Sequence, residues 1–222
     1  MIKDFKRITI FAGHYGSGKT NIAVNYASLL KDVTGEKVAL ADLDIVNPYY
    51  RAKDSTDILA EKGIRMISSP FANSNVDLPA LPAEAYSVID DEKTFAVCDV
   101  GGDDRGAYAL GRYREGIMKT DYEMLMVVNM YRPLTRTVED VLEMKEEIES
   151  AAGIPFTGIV NNSNIGVLTT AEDVVSSFRF IEEIERVTNL PLRFTAVWDK
   201  IYCELSEKYK NLLPLTLQER VW

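Results

Sequence analysis

Short apolar segments recur along the chain and alternate with segments whose apolar residues follow the spacing of a helix. In the first helical segment, Ile22, Tyr26 and Leu30 recur every four residues. Continuous runs of β-branched and aromatic residues are typical of strands buried on both faces. Such runs predict strands at 7–12, 37–42, 64–68, 94–100, 124–129, 156–160 and 192–197, with helices after residue 20 and near 55–63, 82–89, 107–118, 137–152, 170–187 and 201–209.

Strands and helices that alternate through short connections favour a parallel sheet covered by helices on both faces. We therefore predict an α/β fold of three layers, in which a mainly parallel, twisted sheet is flanked by helices. No repeat, low-complexity tract or linker divides the sequence, so residues 1–222 are predicted to form a single domain.

Composition and charge disfavour several classes of protein. The longest aliphatic run covers only 124–128, whereas a membrane span needs about 20 apolar residues, so no transmembrane segment is predicted. The two cysteines, Cys98 and Cys203, indicate neither a disulfide framework nor a zinc site, which suits a reducing cytoplasm. A net charge of −9 argues against a broad nucleic-acid-binding surface.

One glycine-rich loop carries the clearest chemistry, and it lies between the first predicted strand and the first predicted helix. Its residues, Gly13-His14-Tyr15-Gly16-Ser17-Gly18-Lys19-Thr20, fit the pattern G-x-x-x-x-G-K-[ST]. In that pattern backbone N–H groups wrap a phosphate, the lysine contacts the outer phosphates and the threonine hydroxyl contacts Mg²⁺. The sequence thus predicts a P-loop nucleotide-binding domain, with Lys19 as a catalytic residue and Thr20 as a metal ligand.

Polar residues follow several other predicted strands. Ligands in parallel α/β sheets bind at the carboxyl ends of the strands, so these residues are expected at the same edge as the loop. Asp99 is a candidate Mg²⁺ ligand, and the amides of Asn161 and Asn162 could contact a purine base, although a plain polar loop would also explain the pair. No Asn-Lys-x-Asp pattern supports GTP. The residues at these ends are Asp42, Asp44, Asp99, Arg132, Asn161 and Asn162.

Four motifs in this order resemble the MinD/ParA/Mrp group of P-loop ATPases, the deviant Walker A branch. The resemblance implies ATP and Mg²⁺ as cofactors and a homodimer that forms on ATP binding. It also implies that Asp44 orients the attacking water near the metal and that Asp99 supports Mg²⁺ through water. The matching segments are 13–20, Asp42-x-Asp44-x-x-x-Pro48, Asp99-Val100-Gly101-Gly102 and the asparagine pair.

The sequence departs from this group at His14, where the group carries a signature lysine that reaches the partner's nucleotide. The principal hypothesis is a slow Mg²⁺-dependent ATPase that acts as a dimeric switch. Two alternatives remain: an ATP-dependent synthase or amidase related to dethiobiotin synthase and cobyrinate amidase, and a nucleotide-binding adaptor with little hydrolysis. The synthase would need a second pocket, for which 69–82 and 101–112 are the candidate segments.

The expected partner is an unidentified protein or other cargo. The acidic net charge disfavours a DNA-carrying role, and the C-x-x-C pair of iron–sulfur carriers is missing from the sequence. The segment near 208–215 contains Pro214, which disfavours a basic amphipathic membrane helix there.

Overall fold

The computed structural model describes residues 2, 4–43, 56–68, 89–102 and 104–217. Within these ranges the chain forms one sheet of eight strands with helices on both sides. The strands are β1 (Ile8–Ala12), β2 (Lys37–Leu43), β3 (Arg65–Ser68), β4 (Thr94–Val100), β5 (Tyr122–Val128), β6 (Gly158–Asn161), β7 (Leu192–Trp198) and β8 (Leu212–Leu215). The helices are α1 (Lys19–Thr34), α2 (Thr56–Glu61), α3 (Asp104–Gly111), α4 (Arg114–Met118), α5 (Val138–Ala152), α6 (Ala171–Ser176), α7 (Phe178–Thr188) and α8 (Asp199–Ser206).

The strands lie in the order β3-β2-β4-β1-β5-β6-β7-β8, and each neighbouring pair is parallel. The predicted three-layer α/β fold with a parallel sheet is therefore confirmed. Because the strands are parallel, the loops that follow β1, β4, β5 and β6 all leave the same edge of the sheet. Within the described ranges, none of the helices combines the length and the apolar composition that crossing a bilayer requires.

Alternation along the strands produces two hydrophobic cores, one on each face of the sheet. In β1, Ile8 and Ile10 pack with residues of α3, α4, α5 and α7. Phe11 points to the other face, where it packs with Ile22, Tyr26 and Leu30 of α1. This alternation fixes which face each polar residue near the strand ends occupies.

Several predicted boundaries differ from the observed ones. The single helix predicted at 107–118 is two helices, α3 and α4, and the long helix predicted from 170 is divided into α6 and α7 at Ser177. Strand β8 was not predicted, because it has four residues and contains Pro214, which cannot donate a hydrogen bond to a neighbouring strand. The loop predicted around 45–54 and most of the helix predicted at 82–89 lie outside the described residues.

A buried polar network joins four elements at the amino edge of the sheet, opposite the glycine loop. The Glu123 carboxylate accepts hydrogen bonds from the Tyr26 hydroxyl (3.1 Å) and the Thr9 hydroxyl (3.1 Å). Its second oxygen accepts from Arg193 Nε at 2.8 Å. Burial, together with the charge of Glu123, raises the pKa of Tyr26, so its hydroxyl remains a donor. The network ties β1, α1, β5 and β7 together.

Arg193→Met is expected to lower the free energy of unfolding by about 2–3 kcal/mol, because it leaves a buried carboxylate without its cation. The two hydroxyl donors to Glu123 remain, which places the loss at the lower end of the range for broken buried pairs. Adding Glu123→Gln should recover most of the loss, and denaturant unfolding measures both effects. Lys62→Ala, which removes an exposed ion pair with Asp32, is the control and should cost less than about 1 kcal/mol. An Arg193→Met loss no larger than that of the control would contradict this account.

Candidate functional site

The glycine loop ends where α1 begins, and the first turn of α1 has no side-chain cap. Gly18 is the N-cap residue, with a left-handed backbone (φ 87°), and the turn contains no acidic residue. By contrast, α5 and α6 each begin with a capping box, formed by Thr137 with Asp140 and by Thr170 with Asp173. Within the described residues, no side chain caps the first turn of α1 as Thr137 and Thr170 cap α5 and α6. The helix dipole is positive at this end, which favours an anion there.

Three polar side chains are buried at this helix start, namely Ser17, Lys19 and Thr20. Lys19 is only 5% exposed, and its ammonium group donates a hydrogen bond to His14 O at 3.1 Å. The Ser17 hydroxyl has no hydrogen-bond partner in the described part of the chain. Buried hydroxyls almost always have a partner, so a ligand oxygen at the loop would complete the arrangement.

Two carboxylates lie on the same face of the sheet as α1. Asp42 of β2 and Asp99 of β4 are neighbours in register, and Asp99 also pairs with Phe11 of β1. Leu40 precedes Asp42 by two residues and Val97 precedes Asp99 by two, and both apolar residues pack with α1. Residues two apart on a strand share a face, so both Asp side chains lie on the α1 face. Both side chains are buried, Asp99 completely. The predicted metal residues Thr20 and Asp99 therefore share one face of the sheet, and Asp42 lies beside them.

The thiol of Cys98 lies on the opposite face and takes no part in this group. It packs in the core with Ile10 and Met124. Burial, and next the charge of Asp99, raise its pKa to about 12. The thiol is therefore protonated at neutral pH, and Cys98 acts as a small hydrophobic residue.

The segment after β4 packs directly beneath the glycine loop. A side chain at Gly102 would collide with Tyr15 N, and its Cβ would lie 2.7 Å from the His14 carbonyl carbon and 2.8 Å from Gly13 O. Only a residue without Cβ allows the two backbone segments to approach so closely. The packing role of Gly102 was not predicted, although the Asp-x-Gly-Gly pattern marked the segment.

His14 faces the protein's own α5. Its backbone N–H points at Met144 Sδ (3.1 Å), Nε2 lies 4.0 Å from Glu147 Oε2, and Nδ1 lies 3.4 Å from Gly102 O. The position of the signature lysine is therefore occupied by a side chain that links the loop to α5 and to the segment after β4. Tyr15, the next residue, is largely exposed.

The asparagine pair after β6 has partners within the protein. Asn161 Nδ2 donates to Ser177 Oγ at 2.8 Å, and Asn161 Oδ1 accepts from Ser163 N at 3.1 Å. Asn162 Nδ2 donates to Ser17 O at 2.6 Å. Both side chains are buried. The predicted contact of the two amides with a purine base stays a prediction.

Two further asparagines complete this cluster and were not singled out from the sequence. Asn129, directly after β5, accepts from Tyr131 N and Asn164 N and donates to Asn164 O. Asn164 in turn donates to Asn162 O and Asn162 Oδ1. The signal that could have found them is the same one that marked Asn161, an amide at the carboxyl end of an apolar strand.

Some predicted residues remain without structural description. Asp44 and Pro48 lie outside the described residues, as does the segment 69–82 that was considered for a second substrate. Arg132 is described, and its Nε lies 3.9 Å from the position that a Cβ on Gly16 would occupy. Within the described ranges, no group of three or more His, Cys, Asp or Glu side chains could hold a metal ion by itself.

Comparison with solved structures identifies the fold. The cell division protein FtsY from Thermotoga maritima superposes with a TM-score of 0.57 at 17% identity, over 88% of this chain and 63% of that one. The signal recognition particle 54 kDa protein from Aeropyrum pernix in complex with GDP gives 0.55 at 19%, over 87% and 42%. FlhF complexed with GTP and Mg²⁺ gives 0.55 at 14%, over 86% and 66%. The chain thus spans less than two thirds of the length of each.

Sequence comparison adds no closer assignment, since no family model and no curated protein sequence matches the chain. At identities of 14–19% the structural likeness shows the fold alone. That fold is the α/β fold of P-loop nucleoside triphosphatases, as predicted. The narrower resemblance to the MinD/ParA/Mrp group stays a prediction.

Gly102→Ala tests whether the segment after β4 supports the glycine loop. Inserting a methyl group into a packed site costs about 1–3 kcal/mol of stability. Displacement of the glycine loop would relieve this strain, and a ligand would have to restore the loop on binding. We therefore expect the affinity for MgATP, the ligand predicted from the sequence, to fall by about tenfold. Calorimetric titration measures the affinity, and a thermal melt checks that the variant is folded.

Gly35→Ala is the matched control for this variant. Gly35 ends α1 with φ 69° and has open space around it, so alanine there strains only the backbone. The control should lose about 1 kcal/mol of stability and no affinity. Equal affinity for Gly102→Ala and the wild type would contradict the packing role of Gly102.

Proposed function

We propose that this protein is a Mg²⁺-dependent nucleoside triphosphatase that works as a nucleotide-gated switch, with ATP as the expected nucleotide. One observation carries the proposal. The start of α1, which has no side-chain cap, carries buried Lys19 and Thr20 on the face of the sheet that holds Asp42 and Asp99. Beside it lies the Ser17 hydroxyl, which has no partner among the described residues. Donors and a cation are thus concentrated at one point, where a polyphosphate chain would satisfy them.

In this proposal, backbone amides of residues 13–20 donate to the β- and γ-phosphate oxygens, and the Lys19 ammonium contacts the outer phosphates. The N–H groups of His14 and Ser17 are the exceptions, because they donate to Met144 Sδ and His14 O. Because Lys19 is buried, its charge acts through surroundings less polar than water, and its attraction for phosphate is stronger there. The loop needs little rearrangement, because Gly102, Met144 and Asn162 already hold its backbone.

The residues present fit a magnesium ion. Thr20 and Asp99 supply oxygen donors, the type that Mg²⁺ prefers, and Asp42 lies next to them. Mg²⁺ at nucleotide sites usually has only one or two protein carboxylates, with phosphate and water oxygens as the other ligands. When bound, the ion would neutralise part of the phosphate charge. We assign Asp99 to hold it through water and Asp44 to orient the attacking water, both by resemblance to the MinD/ParA/Mrp group.

A homodimer that forms on nucleotide binding, with an unidentified protein partner or cargo, completes the proposal. Large apolar side chains are exposed near the carboxyl edge of the sheet, which supports an interface there: Tyr15 is 63% exposed, Tyr108 67% and Leu134 53%. The structural relatives include proteins in complex with GDP and with GTP and Mg²⁺, so GTP must be compared with ATP in each binding experiment.

A nucleotide-binding adaptor with little hydrolysis is the second candidate, and the position of His14 favours it. That side chain contacts Gly102 and α5 of its own subunit, so it is not set to act across a dimer as the signature lysine does. A single-turnover assay with purified protein distinguishes the two candidates. A switch converts bound MgATP to ADP and phosphate within minutes, whereas an adaptor releases it unchanged.

Lys19→Ala tests the central assignment. Hydrogen bonds from a charged donor contribute about 1.5–3 kcal/mol each, so we expect the affinity for MgATP to fall by about 100-fold. Calorimetric titration with ATP and with GTP measures the loss.

Lys31→Ala, at the opposite end of the same helix, is the control. Among the described residues, Lys31 donates to Gly35 O and Glu36 O, far from the glycine loop, so its removal should leave the affinity unchanged. Retained nucleotide affinity in Lys19→Ala would show that the phosphates bind elsewhere and would remove the proposed function.

A further inference from the structure

The side chain of Asn162 connects the loop after β6 to the glycine loop. Its Nδ2 donates to Ser17 O at 2.6 Å, across 145 positions of sequence, and the bond is buried. Within the described ranges, this hydrogen bond joins the loop after β6 directly to the backbone of residues 13–18.

This hydrogen bond fixes the direction of the Gly18 N–H as well as that of the Ser17 carbonyl. The carbonyl of Ser17 and the N–H of Gly18 belong to one trans peptide plane, in which the two groups point in opposite directions. When Asn162 holds the carbonyl, the Gly18 N–H must point away from Asn162. Gly18 is the N-cap residue of α1, so this N–H lies at the start of the uncapped helix end.

The glycine loop leaves space for the Asn162 side chain at Gly18. A Cβ on Gly18 would collide with Asn162 Nδ2, and the next nearest atom would be Asn162 Cγ at 3.6 Å. The last glycine of the G-x-x-x-x-G-K-[ST] pattern thus leaves space that the amide of Asn162 fills. Glycine is also favoured there by its left-handed backbone, with φ 87°.

Asn162 is itself held in place before any ligand binds. Asn164 Nδ2 donates to Asn162 O at 2.8 Å and to Asn162 Oδ1 at 3.1 Å. Asn164 is fixed through its backbone by Asn129, which follows β5. The Asn162 amide is therefore oriented by two strands of the sheet, as a preorganised support must be.

We infer that Asn162 is a positioning residue of the phosphate loop: it orients the Ser17–Gly18 peptide so that the Gly18 N–H donates to a bound phosphate. This inference rests on the proposed nucleotide binding and departs from the predicted contact between Asn162 and the base. The ligand group that depends on Asn162 is the polyphosphate chain, which ATP, GTP and inorganic tripolyphosphate share.

The test compares the affinity of the wild type and Asn162→Ala for ATP, GTP and inorganic tripolyphosphate, each with Mg²⁺. A lost hydrogen bond of ordinary strength weakens binding by about 3- to 10-fold. We expect that loss for all three ligands, with the ATP-to-GTP affinity ratio unchanged. Asn164→Ala, which frees the Asn162 amide without removing it, should give a smaller loss of the same kind and serves if Asn162→Ala does not fold.

Ser177→Ala is the control for general damage at this end of β6. It removes the partner of the neighbouring Asn161 amide, so it should lower the melting temperature and leave tripolyphosphate affinity unchanged. A Ser177→Ala loss of phosphate affinity equal to that of Asn162→Ala would overturn the inference, because a non-specific disturbance would then explain both.

Two other results would also overturn it. If Asn162→Ala weakens the binding of ATP or GTP but not that of tripolyphosphate, the Asn162 side chain contacts the base. If the variant binds all three ligands as tightly as the wild type does, Asn162 does not position the phosphate loop. The failure of the proposed function is distinguishable, because in that case the wild type itself binds none of the three ligands.

Discussion

The backbone amides at the start of α1 need hydrogen-bond acceptors, and the carboxyl edge of the sheet is arranged around this constraint. A helix start without a capping side chain leaves several N–H groups that need an acceptor. Neighbouring elements hold the loop that precedes this helix start. Gly102 supports residues 13–15 from below, Met144 contacts the His14 N–H, and Asn162 holds the Ser17 carbonyl. The backbone of the loop is thus held by contacts from three other segments of the chain.

Charged side chains also gather at the carboxyl edge of the sheet, near the start of α1. Asp42 and Asp99 are buried register neighbours on the face of the sheet that α1 covers. Lys19 is buried at the start of α1 on the same face. The influence of the Asp99 charge reaches the adjacent Cys98, whose pKa is raised partly by it. In the proposed function, the negative groups would serve a metal ion and the positive group would serve phosphate.

Much of this fold could be predicted from the sequence, because buried parallel strands are continuous apolar runs. Strand β4 has the predicted bounds, 94–100, and the helix predicted over 137–152 is observed as α5, Val138–Ala152. The break between α6 and α7 was missed because its cause is tertiary: Ser177 accepts a hydrogen bond from Asn161, which lies on β6. Strand β8 was missed because its pairing with β7 outweighs the weak strand propensity of a segment that contains proline.

The residues of the candidate site likewise fall into two groups, those marked by a local sequence motif and those that depend on distant contacts. Lys19 and Thr20 were predicted from a local motif, and their binding roles stay predictions, whereas the contacts of Gly102 and Asn162 join residues far apart in sequence. The most direct test of the account is amide NMR of ¹⁵N-labelled protein titrated with MgATP. Saturable shifts should be largest at Gly16, Gly18, Lys19 and Thr20, with smaller shifts at Gly102 and Asn162. Saturable binding that leaves the amides of residues 16–20 unmoved, or no binding at all, would contradict it.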